Sequence, residues 1–187
     1  MIKLGAHMST SKGFDKVPGD TSKMGGNTFQ IFPHSPRMWR ASLPEDKIAR
    51  AFKDEMKAKG IDPYSCMVHS GYLINLASSS EEVWDKSVTL LSIEMKITAA
   101  LGLKYLNFHP GSHLGDGLQT GIDRIVRGID IVLSEHLDSD VMLLVENVAD
   151  KGNHIGSSFE ELKSIIDGSS EPSRIGVTYD TCHGFDS

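Results

Sequence analysis

Apolar positions along the chain follow two alternating periods. Short β-prone runs occupy Ile2–Ala6, Thr28–Phe32, Ser65–Val68, Tyr105–Phe108, Val141–Val145 and Ile175–Tyr179, each of strand length. Between several of them the spacing becomes helical. Pro44 suits a first helical turn, Ile48, Phe52 and Met56 then recur every fourth residue, and Gly60 closes the segment. Trp84, Val88, Leu91 and Met95 share one helix face ahead of Gly102, and Ile122, Ile125, Val126, Ile129 and Val132 share another. Ser158 followed by Glu161 forms a capping box ahead of Leu162, Ile165 and Ile166. No low-complexity tract or linker interrupts the pattern, so residues 1–187 read as one domain.

Strands alternating with helices require a mainly parallel sheet covered by helices. An open doubly wound sheet should carry a Gly-rich fingerprint after its first strand, and Gly5-Ala6-His7-Met8 is not one. A closed βα barrel predicts something different: reactive side chains at the carboxyl ends of several strands. His7, Pro33-His34, His69, His109, Glu146 and Asp180 with His183 stand at the ends of successive apolar runs, about one βα unit apart. The pattern selects a TIM (β/α)8 barrel with about six of its eight strands present. At 187 residues the chain falls short of the roughly 250 typical of that barrel.

In a barrel these side chains converge on one mouth. A single histidine at a strand end is more often a hydrogen-bonded structural residue, but His69, His109, Glu146, Asp180 and His183 in series form a metal-ligand set. Imidazoles and carboxylates without thiolate suit a hydrolytic Zn²⁺ site, whereas an oxygen-only set would suit Mg²⁺ or Ca²⁺. So many ligands imply more than one ion, the arrangement that clamps both oxygens of a phosphoryl displacement. His7 is expected to support a ligand or to contact substrate. His113 is expected to brace its loop, His34, His136 and His154 to lie on the surface or in loops, and Cys182 to pack.

Composition narrows the setting. With 39% hydrophobic and 24% charged residues the chain has an ordinary globular make-up, and no run of about 18 apolar residues could span a membrane. The amino terminus lacks the apolar stretch of a secretion signal, and Cys66 and Cys182 form no CxxC pair, so a cytoplasmic protein with free thiols is expected. A formal charge of −6 argues against broad non-specific nucleic-acid binding while leaving room for a local cationic site.

Several stretches resemble one family in order along the whole chain. They are Gly5-Ala6-His7-Met8-Ser9, Arg37-Met38-Trp39-Arg40, His69-Ser70-Gly71-Tyr72-Leu73-Ile74-Asn75-Leu76, Leu106-Asn107-Phe108-His109-Pro110-Gly111-Ser112-His113, Glu146-Asn147 and Tyr179-Asp180-Thr181-Cys182-His183-Gly184-Phe185. On these residues the sequence resembles the endonuclease IV family of zinc-dependent apurinic/apyrimidinic endonucleases. The resemblance implies a (β/α)8 barrel with three zinc ions that cleaves double-stranded DNA on the 5′ side of an abasic site, leaving a 3′-hydroxyl, as a monomer and without a protein nucleophile. It implies that His69 and His109 hold a first zinc, that Glu146 bridges it to a second and is essential to catalysis, that Asp180 holds the second, and that His183 holds the third. Arg37, Tyr72 and Leu73 would press on the duplex at the lesion, where a missing base makes extrusion cheap.

Two departures qualify the resemblance. Val148-Ala149-Asp150-Lys151-Gly152 stands where the family often has Thr-Ala-Gly, which touches fine DNA contacts and not the bridging carboxylate. The family also has further ligands, two His, an Asp and a Glu, on later strands, so one or two zinc ions are expected for the residues present and the chain expressed alone is expected to be inactive. The length reads as a carboxyl-terminal truncation. Two rival readings remain open at this point: a Mn²⁺- or Mg²⁺-dependent sugar isomerase or epimerase on the same barrel, and a non-catalytic fragment.

Overall fold

The computed structural model describes residues 2–187. Six parallel strands, β1 (Gly5–Met8), β2 (Thr28–Ile31), β3 (Met67–His69), β4 (Tyr105–Phe108), β5 (Met142–Glu146) and β6 (Ile175–Thr178), pair in sequence order. The helices are α1 (Val17–Lys23), α2 (Asp46–Ala58), α3 (Glu81–Ala100), α4 (Leu118–Ser134), α5 (Phe159–Gly168) and α6 (Thr181–Phe185). Because every strand lies beside its sequence neighbours, the sheet has no point where strand order reverses. That separates it from a doubly wound sheet. It is an arc of six strand–helix units of a βα barrel.

Register explains why the strands are apolar yet carry polar side chains at regular intervals. Side chains at paired positions share a face, and successive residues alternate. His69 pairs with Asn107, Asn107 with Leu144, and Glu146 with Thr178, so all of these share the barrel interior. The intervening residues Phe29, Ile31, Val68, Leu106, Phe108, Leu143 and Val145 face the helices and are buried. Phe52 and Met56 of α2, Leu91 and Met95 of α3, Ile125 and Ile129 of α4 and Leu162 and Ile165 of α5 complete that outer core. Each such side chain contributes about 1.5–3 kcal/mol on burial. The apolar layer between sheet and helices therefore supplies stability, which frees the inner face for chemistry.

Helix ends follow local chemistry. Ser158 caps α5 by accepting from the Glu161 amide at 3.2 Å, while the Glu161 carboxylate accepts from Gly156 and Ser157 at 2.6 and 3.1 Å. The expected reciprocal box thus reaches back one and two residues beyond the cap. Gly60 and Gly102 follow α2 and α3 at φ +65° and +71°, the left-handed conformation that favours glycine after a helix. Pro44 stands outside α2, whose cap is Glu45, and β1 starts at Gly5, three residues later than its apolar run. Helix α1 has no counterpart in the predicted pattern: Pro18 and Gly19 obscure it, although proline is tolerated in a first turn.

Candidate metal centre

The carboxyl ends of β3, β4, β5 and β6 deliver the ligand set. Glu146, the last residue of β5, lies between the others. Its Oε2 is 3.3 Å from His69 Nε2, and its Oε1 is 3.4 Å from His109 Nε2 and 3.3 Å from His183 Nδ1. Two three-residue groups result, His69–His109–Glu146 and Glu146–Asp180–His183, with ligand atoms in each group within 4.8 Å of one another. They share Glu146. Whereas the resemblance divides Asp180 and His183 between two ions, the geometry brings both onto Glu146.

His69 and Asp180 are held by neighbours that decide which atom faces the centre. His69 Nδ1 lies 2.8 Å from the Ser70 carbonyl, which only accepts, so that nitrogen carries the proton and Nε2 faces Glu146. His183 differs: its Nδ1, the atom that faces Glu146, is also 2.9 Å from the Asn147 carbonyl. Asp180 caps the short helix α6: its Oδ1 accepts from the Cys182 and His183 amides at 2.7 and 2.9 Å, and Oδ2 is left for a ligand role. Asn147 brackets Asp180, its Oδ1 accepting from the Asp180 amide at 2.6 Å and its Nδ2 donating to the Asp180 carbonyl at 3.1 Å. Asn107 donates to Glu146 Oε2 from within the barrel.

Electrostatics show what the centre does with protons. Burial alone would push the Glu146 carboxyl up, yet hydrogen bonds from His109, His69 and Asn107 outweigh it and hold the group well below the usual carboxylate range. Burial would lower His69, but its contacts with Glu146 and the Ser70 carbonyl raise it overall. A buried carboxylate held in its charged form thus faces three imidazole rings. Two nitrogen donors with a bridging carboxylate, the His69 tautomer fixed by Ser70, and the orphaned buried oxygens Asn107 Oδ1 and Thr178 Oγ1 close by on the strands fit a divalent ion of the zinc type.

The other predicted residues surround the cluster. Tyr72 is exposed, and its ring meets Phe32 edge-on at 5.2 Å and His69 at 6.5 Å. Leu73 is half-buried and Arg37 exposed on the adjoining loop, which the Tyr72 amide joins by donating to Pro36 at 2.9 Å. His7 is in neither ligand group. It stacks 4.3 Å from Phe32 and meets Gln30 at 3.2 Å, and burial followed by the neighbouring His69 lowers its pKa. A cavity of about 300 Å³ beside His69 and His109 is lined by Tyr72, Asn75, Ser112 and His154 among others.

Several expectations need correcting. His34 lies in the loop after β2 as expected, but its side chain is buried against Glu94 and not on the surface. Cys182 is exposed, because the chain turns helical after Asp180 and strand alternation no longer applies. His136 lies in the turn after α4 as expected, partly exposed and meeting Ser92 at 3.0 Å. His113 does brace its loop, its Nδ1 accepting from Gly115 and Gly117. Asn107, Asn147 and Glu94 escape the sequence pattern. Each carries a signal all the same: a polar side chain inside an apolar strand, beside a ligand, or on the buried face of a helix.

Comparison with known proteins agrees with this geometry. The family described as xylose isomerase-like TIM barrel matches residues 19–187. Proteins named probable endonuclease 4 from Thermotoga sp. (strain RQ2) and Thermotoga maritima are 58% and 57% identical over 187 residues, covering 100% of this chain and 64% of each relative. The crystal structure of endonuclease IV from Thermus thermophilus superposes with TM-score 0.83 at 31% identity, over 98% of this chain and 65% of that one. A structure of L-ribulose 3-epimerase reaches TM-score 0.74 at 16% identity, over 98% of this chain and 62% of that one, a likeness of fold alone. The chain thus spans about 64% of the length of the relatives it matches. With strand order, ligand placement and these likenesses in accord, the chain belongs to the xylose isomerase-like TIM barrels and, within them, to the endonuclease IV family.

Proposed function

We propose that this chain carries the abasic-site recognition surface and a zinc-binding part of an apurinic/apyrimidinic endonuclease, which hydrolyses the phosphodiester 5′ to an abasic site in duplex DNA to give a 3′-hydroxyl and a 5′-deoxyribose phosphate. The observation that carries the reading is the pair of ligand groups sharing Glu146 at the strand ends, directly beneath an exposed Tyr72. His69, His109 and Glu146 would hold one ion and Glu146, Asp180 and His183 a second. Bound divalent ions supply charge stabilisation for a phosphoryl group and a water-derived nucleophile near neutral pH.

The chain's own residues do the positioning. Ser70 and Asn147 carbonyls orient two imidazoles, Asn107 fixes the bridging carboxylate, and Asn147 holds Asp180 at the mouth. Tyr72 and Leu73, with Arg37 beside them, enter the duplex at the lesion, the apolar wedge offsetting lost stacking. Two free cysteines support a reducing, cytoplasmic setting, and we read the protein as a monomer. No helix among the described residues is long and apolar enough to cross a membrane.

The test combines metal analysis with band shifts of the 187-residue chain on duplexes that do or do not carry a single tetrahydrofuran abasic analogue. One to two zinc ions per chain and tighter binding of the abasic duplex are expected, with binding weakened by added salt. Absence of zinc uptake, or equal affinity for both duplexes, would overturn the reading. One Mn²⁺ per chain with no DNA affinity would favour a sugar-isomerising enzyme instead.

A further inference from the structure

Behind the metal centre lies a buried ionisable group that ligation leaves unused. Glu94 on α3 has no exposed surface, a position that carboxylates occupy only when paired. Its Oε1 accepts from the Gly71 amide at 3.0 Å and lies 2.7 Å from His34 Nε2, and its Oε2 accepts the Ser70 hydroxyl. The other nitrogen of His34, Nδ1, lies 2.8 Å from the Ser35 carbonyl and therefore carries a proton. One carboxylate thus grips two loops. One runs from β2 through His34 to Arg37, and the other from His69 through Ser70 and Gly71 to Tyr72.

The grip reaches the metal ligand through a single residue. Ser70 gives its hydroxyl to Glu94 and its carbonyl to His69 Nδ1, while its amide donates to Asn107 at 2.7 Å. Gly71 passes close to the first loop: a Cβ there would sit 3.3 Å from the His34 ring and from the Pro36 carbonyl, a tight contact. The Tyr72 amide then donates to that carbonyl, so the two loops are joined at a second point.

We propose that Glu94 and His34 form a positioning clamp, which holds Ser70 so that His69 presents Nε2 to the metal and which sets the Arg37 and Tyr72 loops as one unit. The inference rests on the proposed metal site and extends it to residues that touch neither metal nor substrate. A pair serving only core stability would leave metal affinity untouched when altered. A clamp would not.

Glu94→Gln keeps the volume but removes the charge and one acceptor oxygen: with the remaining oxygen on Gly71 and His34, the amide nitrogen faces the Ser70 hydroxyl, which must turn from donor to acceptor. His34→Gln retains a donor toward Glu94, and His34→Leu removes it. Zinc affinity is read by competition with a chromophoric chelator, ligand geometry by the Co²⁺ absorption spectrum, and fold by thermal unfolding. Glu94→Gln and His34→Leu are expected to lower zinc affinity roughly 10- to 100-fold, the usual cost of losing a group that orients a ligand, and to alter the Co²⁺ spectrum. His34→Gln should stay near the wild type on both. Wild-type zinc affinity and spectrum in Glu94→Gln and His34→Leu, whatever their melting temperatures, would overturn the clamp. If Glu94→Gln does not fold, His34→Leu against His34→Gln decides on the same criterion. A wild-type chain that binds zinc without preferring abasic DNA would refute the proposed function and leave the clamp standing.

Discussion

Replacing Glu146 by Gln tests the centre most directly, because one side chain serves both ligand groups. The carboxylate is 5% exposed and supplies the negative charge of the His69–His109 group, while Asp180 remains to the other. An amide of the same shape keeps packing but has one oxygen and a poor donor atom for metal. If that oxygen takes the Asn107 hydrogen bond, the amide nitrogen occupies the position between His109 and His183. If it turns the other way, two amide nitrogens oppose each other. In either case the first group keeps at most one neutral oxygen in place of the charged carboxylate. Losing a group that merely orients a ligand costs 10- to 100-fold in metal affinity, so at about 1.4 kcal/mol per tenfold the loss should exceed about 1.4–2.8 kcal/mol at the first group, with the second weakened too. Chelator competition gives the affinity, and the Co²⁺ spectrum shows whether both groups change. Unchanged zinc stoichiometry and affinity in a folded Glu146→Gln chain would refute the shared bridging role, and Glu146→Ala, in a chain competent for cleavage, should abolish it.

Zinc binding should strengthen as pH rises through the raised pKa of His69, since the ion must displace the proton that Glu146 holds there; below that value affinity should fall about tenfold per pH unit for each proton displaced, and calorimetry in two buffers should show proton release. In the metal-free chain the sign is opposite for the two partners. The stability that the low Glu146 pKa contributes is present above about 4.5 and lost as pH falls below it, while that from His69 is present below about 6.5 and lost as pH rises through its raised value, which a melting-temperature profile against pH would record. Tyr72→Ala should weaken abasic-duplex binding while leaving thermal stability within about 0.5 kcal/mol, because the ring is exposed; an unchanged band shift would remove the residue from the recognition surface. Gly111→Ala should destabilise the fold by more than about 1 kcal/mol in urea unfolding, since Gly111 has φ +110° and a Cβ there would collide with the Asn75 side chain.

Much of the architecture is legible in the linear pattern. The strands at Thr28, Tyr105 and Ile175 begin where their apolar runs begin, and α2 to α5 follow the spacing of Phe52, Leu91, Ile125 and Ile165. The same pattern places a ligand type at the end of most strands, because a parallel βα order obliges those ends to meet. What it misses depends on contacts far apart in the chain. His34 looks like a loop residue until Glu94, sixty positions away, is packed against it. Cys182 looks buried only while β6 is imagined to continue.

The chain by itself determined fold class, strand order and the chemical kind of the centre, since period and residue type are local properties. The family resemblance already marked Glu146 as the bridging residue; tertiary structure alone decided that Asp180 and His183 both gather on it, that the Ser70 carbonyl turns Nε2 of His69 inward, and that Glu94 ties two loops to one ligand. Those facts are distances of about three ångströms between groups from different strands, loops and helices. Strand register and helix packing set such distances, and a linear pattern does not contain them.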